Sequence, residues 1–394
     1  MATSPNLITG WRTRIIRRRV QLFIIAQALK MYRNPLVAMS EMKRLRDLRN
    51  KAHGISFVSK YIKSGKQLYW NSDYCGFPSA NLRSLIHSEF LRDGLNETKV
   101  SGESPKLQTL IWGITNRCHL SCQHCYEWDN ISQTDKLSLE ELKKILAIFK
   151  ANGIRHLQFS GGEPLARFND LVELTREASP NIDCWLLTSG FGLTMEKALA
   201  LKKAGLKGVN ISLDHWDEPL HNSFRNNEKS YQMVMDAVKN CLSASIIVSL
   251  SLCATREFVT QDNLMNYATL AKNIGAHFIR ILEPRAAGKF AHQNVHLDKE
   301  QVALLSEFTI RLNTDPRFVD FPIISFFGYH QRKMGCFGAG NRYLYADPNG
   351  DVHACPFCRG KMGNLLDEPF NVILEKLKSM GCHEFKSQTS FTFN

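Results

Sequence analysis

Between residues 107 and 283, six short runs of β-type apolar residues alternate with single helical patterns, and that alternation narrows the fold more than any other feature. The strand candidates are 107–115, 156–160, 182–188, 208–213, 246–254 and 277–282. Helical patterns fill 138–151, 170–178, 194–204, 231–244 and 260–274. Ser138 with Glu141 three residues on marks a capping box, and Gly153 fits a helix C-cap. Near-continuous apolar strands joined by one helix each require right-handed crossovers, hence a parallel sheet covered by helices. Six units fall short of the eight that close a barrel, so the expected fold class is α/β, a partial (β/α)6 TIM-like barrel. Loops carrying chemistry then gather at the carboxyl ends of the strands.

Flanking segments complete the expected organisation. Residues 1–93 read as a mostly helical, basic extension, with one helix over 13–32 closed by Asn34-Pro35 and a second over 37–51. The polar stretch 94–106 reads as a linker, 107–297 as the core barrel, and 298–394 as a helix followed by a small Cys-rich domain. In that last region Asp347-Pro348-Asn349-Gly350 separates two short β runs, a hairpin signal.

Charge is unevenly spread. The formal net charge is +13, yet residues 1–50 alone hold eleven Lys/Arg against Glu41 and Asp47. A localised anionic partner follows. On a helical wheel Trp11, Ile15, Leu22, Ile25, Ala26 and Leu29 form one stripe broken by Arg18, while Ile16, Val20, Phe23 and Ile24 lie elsewhere. Two readings stand: residues 11–33 lying on anionic lipid at the inner membrane face, or a helix packed on the barrel with its arginines in water. Nucleic acid is not expected, because no base-stacking aromatic pattern accompanies the basic residues. Gln21, Gln27 and Lys30 interrupt the first apolar stretch, so neither an export signal nor a spanning helix is expected. The expected setting is the reducing cytoplasm, where those of the eleven cysteines that stand at metal spacing read as cluster ligands rather than disulfides.

Cys118-His-Leu-Ser-Cys122-Gln-His-Cys125 directly follows the first strand. Three thiolates on one short loop can bind three irons of a cubane cluster, leaving the fourth open to an amino/carboxylate chelate. A zinc site completed by His119 or His124 is the alternative. Ser160-Gly161-Gly162-Glu163-Pro164 follows the second strand, where paired glycines admit close approach and carbonyls with a carboxylate can receive an ammonium group.

Cx3Cx2C after strand one and GGEP after strand two resemble the radical S-adenosylmethionine (SAM) superfamily. The resemblance implies a [4Fe–4S] cluster on Cys118, Cys122 and Cys125, with SAM bound beside it. It implies reductive cleavage of SAM to a 5′-deoxyadenosyl radical that abstracts hydrogen from a substrate, fed by a flavodoxin- or ferredoxin-type donor. Gly161, Gly162 and Glu163 would bind SAM, and His124 stands where relatives carry the aromatic residue before the third cysteine. Ser212, Asp214 and Arg225 resemble the family's SxD…HNxxR stretch, whose serine meets SAM and whose arginine meets its carboxylate. An arginine paired with Asp214 or Asp217 is the plainer alternative. Cys336, Cys355, Cys358 and Cys382 resemble a SPASM/Twitch auxiliary-cluster domain, with structural zinc as the alternative. Cys184, Cys241 and Cys253 fit buried apolar positions, while Cys75 has an irregular setting open to a substrate contact. The implied substrate is a peptide or protein side chain. A lipid or membrane-bound substrate is the rival, and a non-catalytic iron–sulfur or zinc-binding protein is a third reading. No general base is evident.

Overall fold

The computed structural model describes residues 4–53, 60–91 and 107–380. The first of these segments form β1 (Asn6–Ile8), α1 (Trp11–Tyr32), α2 (Pro35–His53), β2 (Tyr61–Ser64), β3 (Gln67–Tyr69) and α3 (Ala80–Leu91). Three helices take up most of this segment, and beside them β1, β2 and β3 form a three-stranded antiparallel sheet that the sequence reading did not anticipate. Three- and four-residue strands are too short to show alternation. The only local signal is Ser64-Gly65, with Gly65 in the left-handed region at φ 57°.

The core follows in chain order as β4 (Thr109–Gly113), α4 (Leu139–Ala151), β5 (His156–Ser160), α5 (Phe168–Ala178), β6 (Asp183–Thr188), α6 (Met195–Ala204) and β7 (Gly208–Ser212). It continues through α7 (Glu218–Arg225), α8 (Ser230–Ser243), β8 (Ile247–Cys253), α9 (Gln261–Asn273), β9 (Phe278–Leu282), α10 (Lys299–Thr314), β10 (Ile323–Phe326) and α11 (Phe327–Met334). Ser138 and Glu141 close the expected capping box on α4, and Asp298 with Gln301 closes another on α10. Last come β11 (Tyr343–Ala346), β12 (Asp351–His353), β13 (Gly363–Asn364) and α12 (Phe370–Met380).

One ten-stranded sheet runs β10-β9-β8-β7-β6-β5-β4-β11-β12-β13. All pairings from β10 to β11 are parallel, and only β12 and β13 join antiparallel. Among the described residues the sheet does not close on itself, as expected of a partial barrel. The Cys-bearing C-terminal stretch does not stand apart: β11 pairs with β4 in register, Tyr343 opposite Thr109 and Ala346 opposite Trp112. Helix α7 was not anticipated. It is held at its start by Asp217, whose side chain accepts from the Leu220 N–H, and at its end by Asn226 in a left-handed conformation.

The N-terminal sheet stoppers the amino ends of the barrel strands. Ile62 and Tyr69 pack with Trp185, Ile247, Phe278 and Ile323, which lie at or near the beginnings of β6, β8, β9 and β10. Gly208 leaves the room that Trp185 fills, since a Cβ there would overlap the indole. Lys60, fully buried, donates to the carbonyls of Phe318 (2.6 Å) and Phe321 (2.8 Å) just before β10. Cys75 is buried at this end, 3.4 Å from the Arg155 carbonyl and away from the cavity, so the substrate-contact option for it falls. The linker 94–106 and Cys382 lie outside the described residues. No described helix is long and apolar enough to cross a membrane. Tyr69→Ala should lower unfolding free energy by about 3–5 kcal/mol, the cost of emptying a buried aromatic site. Denaturant titration checks this, and an unchanged midpoint would show that the N-terminal sheet adds nothing to the barrel.

Candidate active site

All three cysteines of the first motif line one cavity of about 330 Å³ at the carboxyl ends of the strands. Their loop is fixed from four directions. Asp135 accepts from the Thr115 hydroxyl, the Asn116 N–H and the Arg117 guanidinium, folding the segment after β4 on itself. From β5, Gly162 and Glu163 donate their N–H groups to the carbonyls of Thr115 and Arg117, each at 2.8 Å. A Cβ on Gly161 or Gly162 would overlap those same carbonyls, and Gly161 sits at φ 133°. The paired glycines are thus required first by chain-to-chain contact. From α7, the Phe224 carbonyl accepts the Gln123 N–H at 3.0 Å, and Asn226 reaches Ser121 at 2.6 Å. From the segment after β9, Lys289 donates its N–H to the Cys125 carbonyl and its ammonium to that of Ser121, both at 2.9 Å.

Glu163 is buried, and burial raises its pKa although four hydrogen bonds oppose the shift. It accepts from the Leu165 N–H, the Thr188 hydroxyl, and the N–H and hydroxyl of Ser189. Every acceptor position on the carboxylate is therefore occupied. Asp214 and Arg225 form a buried ion pair at 2.6 Å, and Arg225 Nη1 also lies 3.5 Å from Cys122 Sγ. Burial pushes the Asp214 carboxyl up, but the Arg225 guanidinium and the further neighbours, the Cys253 N–H among them, together hold it below the usual range. The alternative pairing of Arg225 with Asp214 is thus present, and it aims the arginine at the cysteine loop. His124 stacks on Phe224 with ring centroids 4.8 Å apart, and desolvation lowers its pKa to about 4, so the imidazole is neutral at pH 7. Ser212 lines the same cavity.

The donor set suits an iron–sulfur cluster better than zinc. His119 stacks on Phe191 and His124 on Phe224, so neither ring is turned toward the thiols as a fourth ligand. Among the described residues no three of His, Cys, Asp or Glu converge as single-ion ligands. Burial pushes the Cys118 and Cys125 thiols up to about 12, so thiolates there call for cationic compensation. The second group, Cys336, Cys355 and Cys358, lines the same cavity, which leaves one mouth between two cysteine sets. Gly338 donates its N–H to Cys336 Sγ and Cys358 its N–H to Cys355 Sγ, both at 3.3 Å.

Several participants escaped the sequence reading. Glu127, two residues past Cys125, is buried and forms a two-pronged ion pair with Arg359, one residue past Cys358, while accepting from Tyr345. Asn71, Asp73 and Tyr74 reach the cavity from the N-terminal segment. Asp73 accepts from Gln158 at 2.8 Å and lies 3.5 Å from Arg280. Polar residues inside apolar strands (Asn210, Ser249, Arg280) were the available signal, since a lumen-facing side chain is the usual reason for one. Glu283 pairs with Arg332, a partner no spacing indicated. Cys184 and Cys241 are core residues as expected, whereas Cys253 also borders the cavity.

The fold and site define a class: a partial barrel that presents a three-cysteine loop and a Gly-Gly-Glu turn to one mouth. The sequence profile of the Radical SAM superfamily matches residues 112–271, and profile, relatives and fold together support a radical SAM enzyme. The chain is 29% identical over 269 residues to mycofactocin maturase MftC of Mycolicibacterium smegmatis, covering 66% of this chain and 67% of the relative. It is 25% identical over 300 residues to AdoMet-dependent heme synthase of Oleidesulfovibrio alaskensis, covering 69% and 76%. In fold it is similar to Streptococcus suis SuiB solved with the precursor peptide SuiA, with a TM-score of 0.56, 12% identity and coverage of 93% and 84%. The family uses a [4Fe–4S] cluster and SAM.

Asp214→Leu should cost about 3–5 kcal/mol, because it leaves the Arg225 guanidinium buried without its counter-charge. Asp214→Leu/Arg225→Met should recover most of that loss. The shift in urea midpoint reads both, and equal losses in single and double variants would show that the pair is not coupled.

Proposed function

We propose that Cys118, Cys122 and Cys125 hold the SAM-cleaving cluster, and that Cys336, Cys355, Cys358 and Cys382 hold an auxiliary cluster in the 298–394 region. A cluster held there would supply the electron for reductive cleavage of SAM, and SAM would supply the 5′-deoxyadenosyl group that abstracts hydrogen from the substrate. The observation that carries this reading is the single cavity lined by both cysteine sets together with Gly161, Gly162, Glu163, Ser212, Asp214 and Arg225.

The chain's own residues then have separable tasks. The methionine ammonium group would donate its hydrogen bonds to the Gly161–Gly162 carbonyls, with Glu163 as counter-charge, because the Glu163 oxygens are already engaged. Arg225, oriented by Asp214, would face the SAM carboxylate at the Cys122 side. His124, which lines the cavity and stacks on Phe224, would offer an aromatic face to the adenine ring. Glu127–Arg359 ties the segment after Cys125 to that after Cys358, fixing the separation of the two cysteine sets. The electron donor would be a flavodoxin or ferredoxin type.

For the substrate, the reading is a peptide or protein side chain. It is supported by the fold likeness to SuiB, whose structure holds its precursor peptide, across 93% of this chain. The test is 5′-deoxyadenosine formation by anaerobically reconstituted protein with SAM and a strong reductant. Cys118→Ala should abolish it. Cys355→Ala should leave SAM cleavage measurable while uncoupling it from substrate modification. Turnover surviving in Cys118→Ala would remove the assignment.

A further inference from the structure

Helix α1 has two apolar faces, and among the described residues only one is packed against the rest of the protein. At 100° per residue, Ile16, Val20, Phe23, Ile24 and Ala28 fall on one side. That side packs against the N-terminal sheet, α2 and α3: Ile16, Val20 and Phe23 meet Tyr61, Leu68, Phe77 and Leu82, while Ile24 and Ala28 meet Ala38 and Phe90. Trp11, Ile15, Leu22, Ile25 and Leu29 fall on the opposite side, and they are 67, 49, 65, 37 and 41% exposed. Leu36 and Met39, on the first turns of α2, are exposed as well. Scattered apolar residues on a surface are ordinary, but here five follow one stripe along about 27 Å of helix.

The charges around the stripe indicate what covers it. Exposed Arg12, Arg19 and Lys30 border it on one side and exposed Arg14 on the other, while exposed Arg18 interrupts the stripe itself. No Asp or Glu occurs anywhere in α1. We infer that this face of α1 is a docking surface for an anionic lipid bilayer, with the stripe at the acyl boundary and both cationic borders at the phosphate level. None of the described helices is long and apolar enough to cross a membrane. A second copy of the chain fits less well, since self-complementary contact would set like-charged borders against each other. The surface serves an enzyme that meets its substrate or its electron donor at the membrane, and the inference stands independently of the SAM chemistry.

The experiment is co-sedimentation of the full chain with vesicles of phosphatidylcholine containing phosphatidylglycerol, against vesicles of phosphatidylcholine alone. Binding should favour the anionic vesicles, weaken with salt, and drop by about tenfold or more in Leu22→Asp/Ile25→Asp and in Arg14→Glu/Arg18→Glu. These side chains are exposed, so circular dichroism and thermal unfolding should match wild type. Quenching by brominated lipid should lose its Trp11 component in Trp11→Phe. Three results would overturn the inference: no sedimentation with anionic vesicles at low salt, binding unchanged in the variants, or a solution dimer that Leu22→Asp/Ile25→Asp dissociates.

Discussion

The site depends on one backbone contact. Gly162 and Glu163 hand their N–H groups to the carbonyls of Thr115 and Arg117, and the two glycines leave no side chain between the chains. Parallel pairing of β4 with β5 sends both strands out of the sheet on the same side. Without side chains at 161 and 162, the two exits can close on each other within hydrogen-bond distance. The cysteine loop is thereby held by contacts of the protein itself, and its remaining contacts to α7 and to the segment after β9 complete the enclosure. Preorganisation of this kind matters for radical chemistry, where a reactive species must meet only its intended partner.

Both terminal segments complete the barrel rather than ornament it. Below, Tyr69 and Ile62 stopper the amino ends of the strands, and the segment that follows sends Asp73 up to Gln158 and Arg280. At one edge, β11 extends the parallel sheet beyond β4 and brings the second cysteine set to the same mouth. Glu127 and Arg359 then clasp the two cysteine-bearing segments. A buried ion pair is a poor source of net stability. Its value here is positional, because each partner lies one or two residues from a proposed cluster ligand.

Much of this was legible in the sequence where period and spacing are local properties. All six core strands lie within a residue or two of the ranges read from apolar runs, since a strand buried on both faces must be apolar throughout. That the three cysteines and Gly161–Glu163 face one cavity was legible because both motifs follow neighbouring parallel strands. The N-terminal sheet was not, because three-residue strands carry no period and their partners are distant in sequence. Asp73, Glu127 and Arg359 were invisible for a related reason: each acquires meaning only from a partner 85 or more residues away. The wheel of α1 was legible, but which face the protein would claim depends on where the sheet beneath it lies.

Central to the account is the division of labour between two cysteine sets at one mouth. Electron paramagnetic resonance of the reduced, anaerobically reconstituted chain tests it most directly, in wild type and in Cys336→Ala/Cys355→Ala/Cys358→Ala. The variant should retain one [4Fe–4S] signal, and that signal should shift when SAM is added. A variant with no cluster signal, or with one indifferent to SAM, would contradict the assignment of Cys118, Cys122 and Cys125 as the SAM-binding set.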